Sequence, residues 1–342
     1  QEMGRYISSA YIADRYYINF ADAAARLNPD ASLIFRYGKS IDDRTMMKFG
    51  SFLAQQQNSG ADYLKGSFGV LGRLLPALFQ LEELQQMESR APFARDIWFP
   101  ELEVMAARSF AGSSKGLYLA AKGGHNAESH NHNDVGSFIV YADGYPALID
   151  VGVETYTAKT FSSQRYEIWT MQSAYHNLPT VNGVMQREGD QYRASDVNYH
   201  TDNAKVVFEL DISGAYPPEA MLKSWKRSLT LNRGRSVIIE DRYELAEAIQ
   251  PMWLSFMSWR KPELIAPGTL RLHNPEGLED LSPLSLGFDP DQFTVIIEEL
   301  QVLDSRLQSS WGDYVYRILL TAKDVTLTAA STITLSRFGQ DN

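Results

Sequence analysis

A chain of 342 residues with 44% hydrophobic content can bury a large core and is expected to form two domains rather than one. Its 32 basic against 42 acidic side chains give a formal charge of -10, and no basic run is long enough to follow a nucleic-acid backbone; nucleic acid is excluded as a partner, and an anionic substrate would need local arginines to overcome the field. The absence of cysteine excludes disulfides, thiol catalysis and thiolate ligands, so any metal site must use His, Asp, Glu or Asn.

The first residue is Gln1 rather than Met, and the chain is expected to be a processed or trimmed product. From Ser8 to about Glu88 the pattern reads as helical. Ile18, Phe20, Ala21, Ala24, Ala25 and Leu27 recur at three and four before Asn28-Pro29 marks a stop; Met46, Met47, Phe49, Phe52 and Leu53 form a second apolar stripe, and Leu74, Leu75, Leu78, Leu81 and Leu84 a third. No apolar run reaches the roughly 20 residues that span a bilayer, so no membrane span is expected.

A stretch from Met87 to Trp98, with Pro92 and a charge cluster, reads as a linker, and from about Phe93 the period changes to two. Strands are expected at Lys205–Leu210, Trp225–Leu231, Val237–Asp241 and Val325–Thr328, separated by Gly, Asn, Asp and Pro turns. Helices followed by many strands predict an α+β multidomain protein: a short N-terminal all-α region over residues 1–92, then a large antiparallel β-sandwich over residues 93–342.

Three of the six histidines fall in Gly123-Gly124-His125-Asn126-Ala127-Glu128-Ser129-His130-Asn131-His132-Asn133-Asp134, and Asp150 and His176 follow downstream. Imidazole and carboxylate suit zinc and related ions, so His132, Asp150 and His176 are candidate ligands of one divalent cation, with Asp134 an orienter or turn former. The alternative is a set of polar loop residues that cap strands. Asp143-Gly144 predicts a tight hairpin that would place Asp150 opposite Ser137, leaving His132 roughly 17 Å away on a straight strand. The metal site therefore requires the segment before Gly136 to curl back, which Asn133, Asp134 and Gly136 would allow.

Tyr156, Arg165, Tyr166, Asn177 and Arg187, joined by Asn126, are candidates to line a cleft for a carboxylate-bearing substrate. Ordinary sheet packing is the competing explanation for each tyrosine; Trp169, Trp225, Trp253 and Trp259 are candidates to stack on sugar faces, with core packing as the competing explanation. His200 and His273 read as surface residues. There is no nucleophile elbow, no P-loop and no dinucleotide fingerprint, and Asp211, Asp241 and Asp289 are too scattered to argue a glycosidase pair.

At His130-Asn131-His132-Asn133-Asp134-Val135-Gly136-Ser137-Phe138, with Leu148-Ile149-Asp150-Val151-Gly152, Tyr156, Ala174-Tyr175-His176-Asn177 and Val181-Asn182-Gly183, the chain resembles the heparinase II/III-like polysaccharide lyases. Tyr11-Ile12-Ala13-Asp14 and Phe20-Ala21-Asp22-Ala23 resemble the closing helices of that family's α/α toroid. The resemblance implies β-elimination of uronic-acid glycans such as heparan sulfate or alginate, with an acidic poly- or oligosaccharide as partner and a periplasmic or secreted location. It implies His130 as the catalytic histidine of the sandwich, and His132, Asp150 and His176 as holders of a metal, most often Zn2+. The family's catalytic tyrosine comes from the central toroid. Most of that toroid is missing here, so the chain is expected to be the C-terminal portion of a longer lyase and inactive alone, and Tyr6, Tyr11, Tyr16 and Tyr17 lie in no matching motif. The competing readings are a non-catalytic, metal-stabilised sandwich that binds acidic glycan, and a metal-dependent hydrolase. A homo-oligomer remains open.

Overall fold

A computed structural model describes residues 2–57 and 70–339. The chain separates into two compact units: one of Gln1–Tyr17, Arg26–Ala94 and Ala111–Ser113, the other of Ile18–Ala25, Arg95–Phe110 and Ser114–Asn342. The segment Ile18–Ala25, expected to be helical with its neighbours, therefore groups with the strands.

In the first unit, helices span Glu2–Ser9, Ala31–Ser40, Arg44–Gln56, Leu71–Phe79 and Leu81–Gln86. Arg44–Gln56 buries Met46, Phe49 and Leu53, as their spacing requires, and starts at Asp43, whose carboxylate accepts from Met46 N and pairs with Arg5 at 2.7 Å. Burial opposes ionisation of Asp43, but the Met46 amide and Arg5 lower its pKa below the usual carboxylate value. A lowered native pKa means that the cap stabilises fully above the unfolded value and is lost as pH falls through the folded one. Asp43→Ala is accordingly expected to cost about 1 kcal/mol near neutrality and almost nothing in strong acid, read from urea unfolding at both pH values.

Two expected elements fail. Residues 18–30 form no helix, because Tyr11–Ala13 pairs with Tyr16–Tyr17 and Ala21 sits at a φ of 58°, which a right-handed helix cannot include. The third leucine stripe is split at Gln80 into two helices, and it leaves Leu75 and Leu78 exposed.

The second unit is built of antiparallel strands, and its two large sheets share one apolar core. One sheet runs in spatial order Phe293–Gln301, Tyr314–Ala322, Trp253–Ser258, Tyr145–Leu148, Phe138–Ala142, Leu117–Lys122, Val104–Arg108, Asp96–Phe99, with Pro179–Thr180 beside Trp253–Ser258. The other runs Ser195–Thr201, Lys205–Asp211, Leu222–Asn232, Ser236–Leu245, Thr328–Arg337, Leu284–Gly287, Thr269–Leu272, Pro262–Ala266. Alternation is visible in Ser236–Leu245, where Val237, Ile239, Tyr243 and Leu245 are buried. The last strand begins at Thr328 rather than Val325; Val325 and Leu327 stay exposed, so their alternation has no core to face. Among the described residues no helix is long and apolar enough to cross a membrane.

Candidate metal and catalytic site

The hairpin of Phe138–Ala142 and Tyr145–Leu148 turns on Asp143 and Gly144, both at positive φ, as a two-residue loop matched to sheet twist requires. Val140 faces Leu148, not Ala147, so the pairing runs one residue later than the regular ladder expected from sequence. Ahead of the hairpin the chain does curl back. His130 and Gly136 adopt φ of 60° and 82°, Gly136 N donates to Lys122 O, Ser137 N to Asp134 O and Asn133 N to Met171 O. A Cβ on Gly136 would lie 2.5 Å from Ile212 Cγ2, so glycine is required there by both conformation and space.

The curl brings His132 to Asp150 and His176, all three enclosed, with one potential ligand atom from each lying within 4.8 Å of the others. Asp150 follows the second hairpin strand, and its Oδ1 accepts from Gly152 N at 2.8 Å. His176 ends a series of 3-10 turns that begins at Lys159. Among the described residues, His132 Nδ1, Asp150 Oδ2 and both His176 ring nitrogens have no hydrogen-bond partner; His176 Nδ1 lies 3.2 Å from Asp150 Oδ2 but is not aligned as a bond. Burial works against the Asp150 carboxylate, and the two imidazoles nonetheless hold its pKa below the ordinary value. Unpaired buried polar atoms are costly, and two imidazoles with one carboxylate form a donor set that one divalent cation would satisfy. A cation that binds only the native state stabilises by mass action, so a hundredfold excess over Kd is expected to add about 2.7 kcal/mol relative to chelator-stripped protein. Thermal melts with and without chelator check this; coincident melts would refute it.

Asp22 joins this buried set to the surface. Its Oδ1 is 3.1 Å from His132 Nε2 and accepts from Arg165 Nη2 at 2.8 Å; its Oδ2 is 2.9 Å from His130 Nδ1 and accepts from Tyr156 Oη at 2.8 Å. Burial raises the Asp22 pKa, but the His132 and Tyr156 hydrogen bonds and the Arg165 charge hold it well below the usual carboxylate range. With Asp22 ionised, we assign the proton of His132 to Nε2, which leaves Nδ1 as the ligating lone pair. The same logic puts the His130 proton on Nδ1 and leaves Nε2 as acceptor. His130 has a side chain 62% exposed, and its ring lies nearly parallel to that of Tyr156 at 6.5 Å. Burial and the Asp22 carboxylate raise the Tyr156 pKa against the opposing Arg306, so the phenol remains protonated. Arg306 Nη2 donates to Asp22 O, and its guanidinium lies 5.4 Å over the Tyr156 ring. Asp22→Asn, which keeps the volume but not the charge, is expected to weaken cation affinity about 10–100-fold, measured by competition with a chromophoric chelator. Unchanged affinity would mean that Asp22 does not orient His132.

The other expected substrate contacts divide. Arg165 is spent on Asp22, Asn131 O and Thr160 O and positions the loop rather than facing solvent. Tyr166 accepts from Asn131 Nδ2, and with Arg187 it lines a groove of about 390 Å³. Asn126 is buried, its amide nitrogen donating to Gln186 Oε1 and Arg187 O. Asn177 is fully buried, donates to Phe138 O and Ile149 O, accepts from Met257 N, and so couples neighbouring segments. Asp134 is enclosed and pairs with buried Lys122 at 2.7 Å. Of the four N-terminal tyrosines, Tyr11, Tyr16 and Tyr17 are buried in the first unit, and burial pushes the Tyr17 phenol far up. Asp22 and Arg306 were not identified as site residues from sequence. Asp22 lies in one of the quoted motifs, whereas the only local mark near Arg306 is the helix cap Asp304.

The family description "Heparinase II/III-like, C-terminal" matches residues 98–305, more than half of the chain. No curated protein matches it in sequence. Among solved structures, a heparan sulfate lyase from Pedobacter heparinus is similar over 98% of this chain and 46% of its own length, at 14% identity and a TM-score of 0.67. A heparinase III gene product is similar over 98% of this chain and 46% of its own, at 13% identity and a TM-score of 0.69. A chondroitin AC lyase from Streptomyces coelicolor A3, solved with chondroitin sulphate, is similar over 96% and 47%, at 8% identity and a TM-score of 0.55. At these identities the likeness is one of fold, and the chain spans about half the length of each.

Proposed function

Because the chain belongs to the heparinase II/III-like, C-terminal family, we propose that it supplies the sandwich half of a polysaccharide lyase that cleaves uronic-acid glycans by β-elimination. One observation supports this most: an exposed imidazole, His130, and a protonated phenol, Tyr156, share the carboxylate of Asp22 directly beside the buried His132, Asp150 and His176 set.

In elimination the C5–H bond breaks, its electrons form the C4–C5 double bond, the C4–O4 bond breaks, and O4 leaves with a proton. The C5 proton becomes acidic only when the uronate charge is neutralised, and Arg306 is the cation beside this pair. His130 Nε2, with its lone pair fixed by the Nδ1 contact to Asp22, accepts a proton, and the Tyr156 phenol is the proton source that this half of the site offers. The buried triad would hold Zn2+, whose borderline character suits two imidazoles and a carboxylate; bound there, it supplies fixed positive charge that anchors the loop of His130. The neighbours' greater length is consistent with further catalytic groups outside this chain, and a polymer substrate of this kind would be met in the periplasm or outside the cell.

The test is near-ultraviolet absorbance of the C4–C5 double bond during incubation with heparan sulfate, alginate, chondroitin and hyaluronan, using this chain and a version extended upstream. A rise with either supports the reading. Glycan binding with no rise at either length would support the non-catalytic module instead.

A further inference from the structure

Of the three residues in the buried set, His176 has the least to hold its direction. His132 is oriented by the Asp22 carboxylate, and Asp150 by Gly152 N at its Oδ1 and by Asn19 Nδ2 at its backbone carbonyl. The His176 ring has no hydrogen-bond partner among the described residues, and the residues before it form short 3-10 turns, whose hydrogen-bond geometry is poorer than that of an α-helix. Its direction therefore depends on what grips the chain on either side. The strand Trp253–Ser258 does so at three points: Ser255 Oγ donates to Ala174 O at 2.6 Å, Ser255 N to Leu178 O at 3.0 Å, and Met257 N to Asn177 Oδ1 at 2.7 Å.

The first of these bonds is controlled from the next strand, Tyr314–Ala322. Ser255 is fully buried, and its Oγ accepts from Arg317 Nε at 2.9 Å. A guanidinium can only donate, so the hydroxyl accepts from it and keeps its single proton for Ala174 O. The same guanidinium lies 4.6 Å from the centre of the Tyr175 ring, one residue before His176, and its Nη1 donates to Glu298 Oε2 at 3.1 Å. Tyr175 packs edge-on against Trp169 at 5.1 Å, and Trp169 Nε1 donates at 2.9 Å to Glu154 Oε1, in the segment that follows Asp150. Arg317 thus holds the turn twice, at the Ala174 carbonyl through Ser255 and at the Tyr175 ring directly.

Resting on the reading of His132, Asp150 and His176 as a cation site, we propose that Arg317 is a positioning residue for that site: through Ser255 and Tyr175 it aims the His176 imidazole, without being a ligand itself. Loss of a group that orients a ligand typically costs about 10- to 100-fold in affinity, whereas a residue that only supports the sheet changes unfolding stability and leaves the surroundings of a bound ion as they were. Shape matters here as well as charge. A lysine could meet Glu298, but it could not also donate sideways to Ser255 while lying flat on Tyr175.

The experiment is titration of this chain with Co2+, followed by the visible ligand-field absorption of the ion and by competition with a chromophoric chelator, with urea unfolding of the cation-free protein recorded alongside. Arg317→Met and Ser255→Ala are each expected to weaken Co2+ about tenfold and to change the shape of the ligand-field band. The double variant should bind no more than about twofold weaker than the weaker single one, because both residues act through one hydrogen bond to Ala174. Arg317→Lys is expected to unfold close to the parent and still to show the altered band and the weakened affinity. Where Arg317→Met does not fold, Ser255→Ala and Arg317→Lys carry the same comparison. Parent-like band and affinity in these variants, or single losses that multiply in full in the double variant, would overturn the inference. Failure of the cation reading shows differently: the parent itself would take up no Co2+, and the inference would fall with it.

Discussion

Replacing His130 by alanine is expected to reduce elimination by about 10²- to 10⁴-fold in whichever form of the protein is active, while cation content and unfolding stability stay near those of the parent. The reason lies in where the ring sits. Its side chain is 62% exposed, and among the described residues it meets Asp22 Oδ2 and the Tyr156 hydroxyl, so truncation removes an acceptor facing the substrate and little packing. His200→Ala is the control: His200 is exposed on the strand Ser195–Thr201, away from the Asp22 cluster, and its loss should leave the rate unchanged. The effect should fall on kcat more than on KM, since the proton acceptor acts only as the C5–H bond breaks. Activity retained in the His130 variant would remove this residue from the chemistry.

Replacing Arg227 by methionine is expected to lower the free energy of unfolding by about 3–5 kcal/mol. Arg227 is fully buried and clamps Asp241 with two bonds, Nε to Oδ1 at 2.8 Å and Nη2 to Oδ2 at 2.7 Å. Its Nη1 donates to Gly136 O and Asn177 O, so a side chain from one sheet ties down the residues that border the His132 curl and follow His176. Truncation strands the Asp241 carboxylate, to which among the described residues Trp225 Nε1 would still donate, and leaves two buried carbonyls with one fewer donor each. The double replacement Arg227→Met with Asp241→Leu should recover much of the loss, because removing both charges removes the desolvation cost along with the pairing. Urea unfolding measures both. A loss below about 1 kcal/mol in the single variant would mean that the pair is not holding the site in place. Cation affinity should fall with Arg227→Met and return in part with the double variant.

Much of this arrangement is legible in the sequence because it is local. His130 and His132 flank one asparagine, Asp143-Gly144 announces its hairpin, and Gly136 supplies the left-handed turn that the metal hypothesis required. The alternation of Lys205–Asp211 and Leu222–Asn232 likewise locates central strands. Residue spacing fails where tertiary partners decide the conformation. Ile18 to Leu27 has helical spacing, but Ala21 takes a positive φ and delivers Asp22 to His130 and His132, more than 100 residues away in the chain. Arg306 reaches Asp22 across 284 residues, a contact that no periodicity encodes. Arg165 and Asn177 have plausible chemistry for a cleft, yet their polar atoms are consumed by Asp22 and by strand carbonyls. Composition identifies what a side chain can bond, and the fold determines what it has left to offer.

The most direct test of the account is mass spectrometry of the products formed from a defined uronate oligosaccharide in water enriched with oxygen-18. Elimination breaks C4–O4 without adding water, so the product masses should sum to that of the parent, one product should carry the double bond, and no heavy oxygen should enter the new reducing end. Products heavier by one water, labelled at that end, would identify a hydrolase and contradict the account.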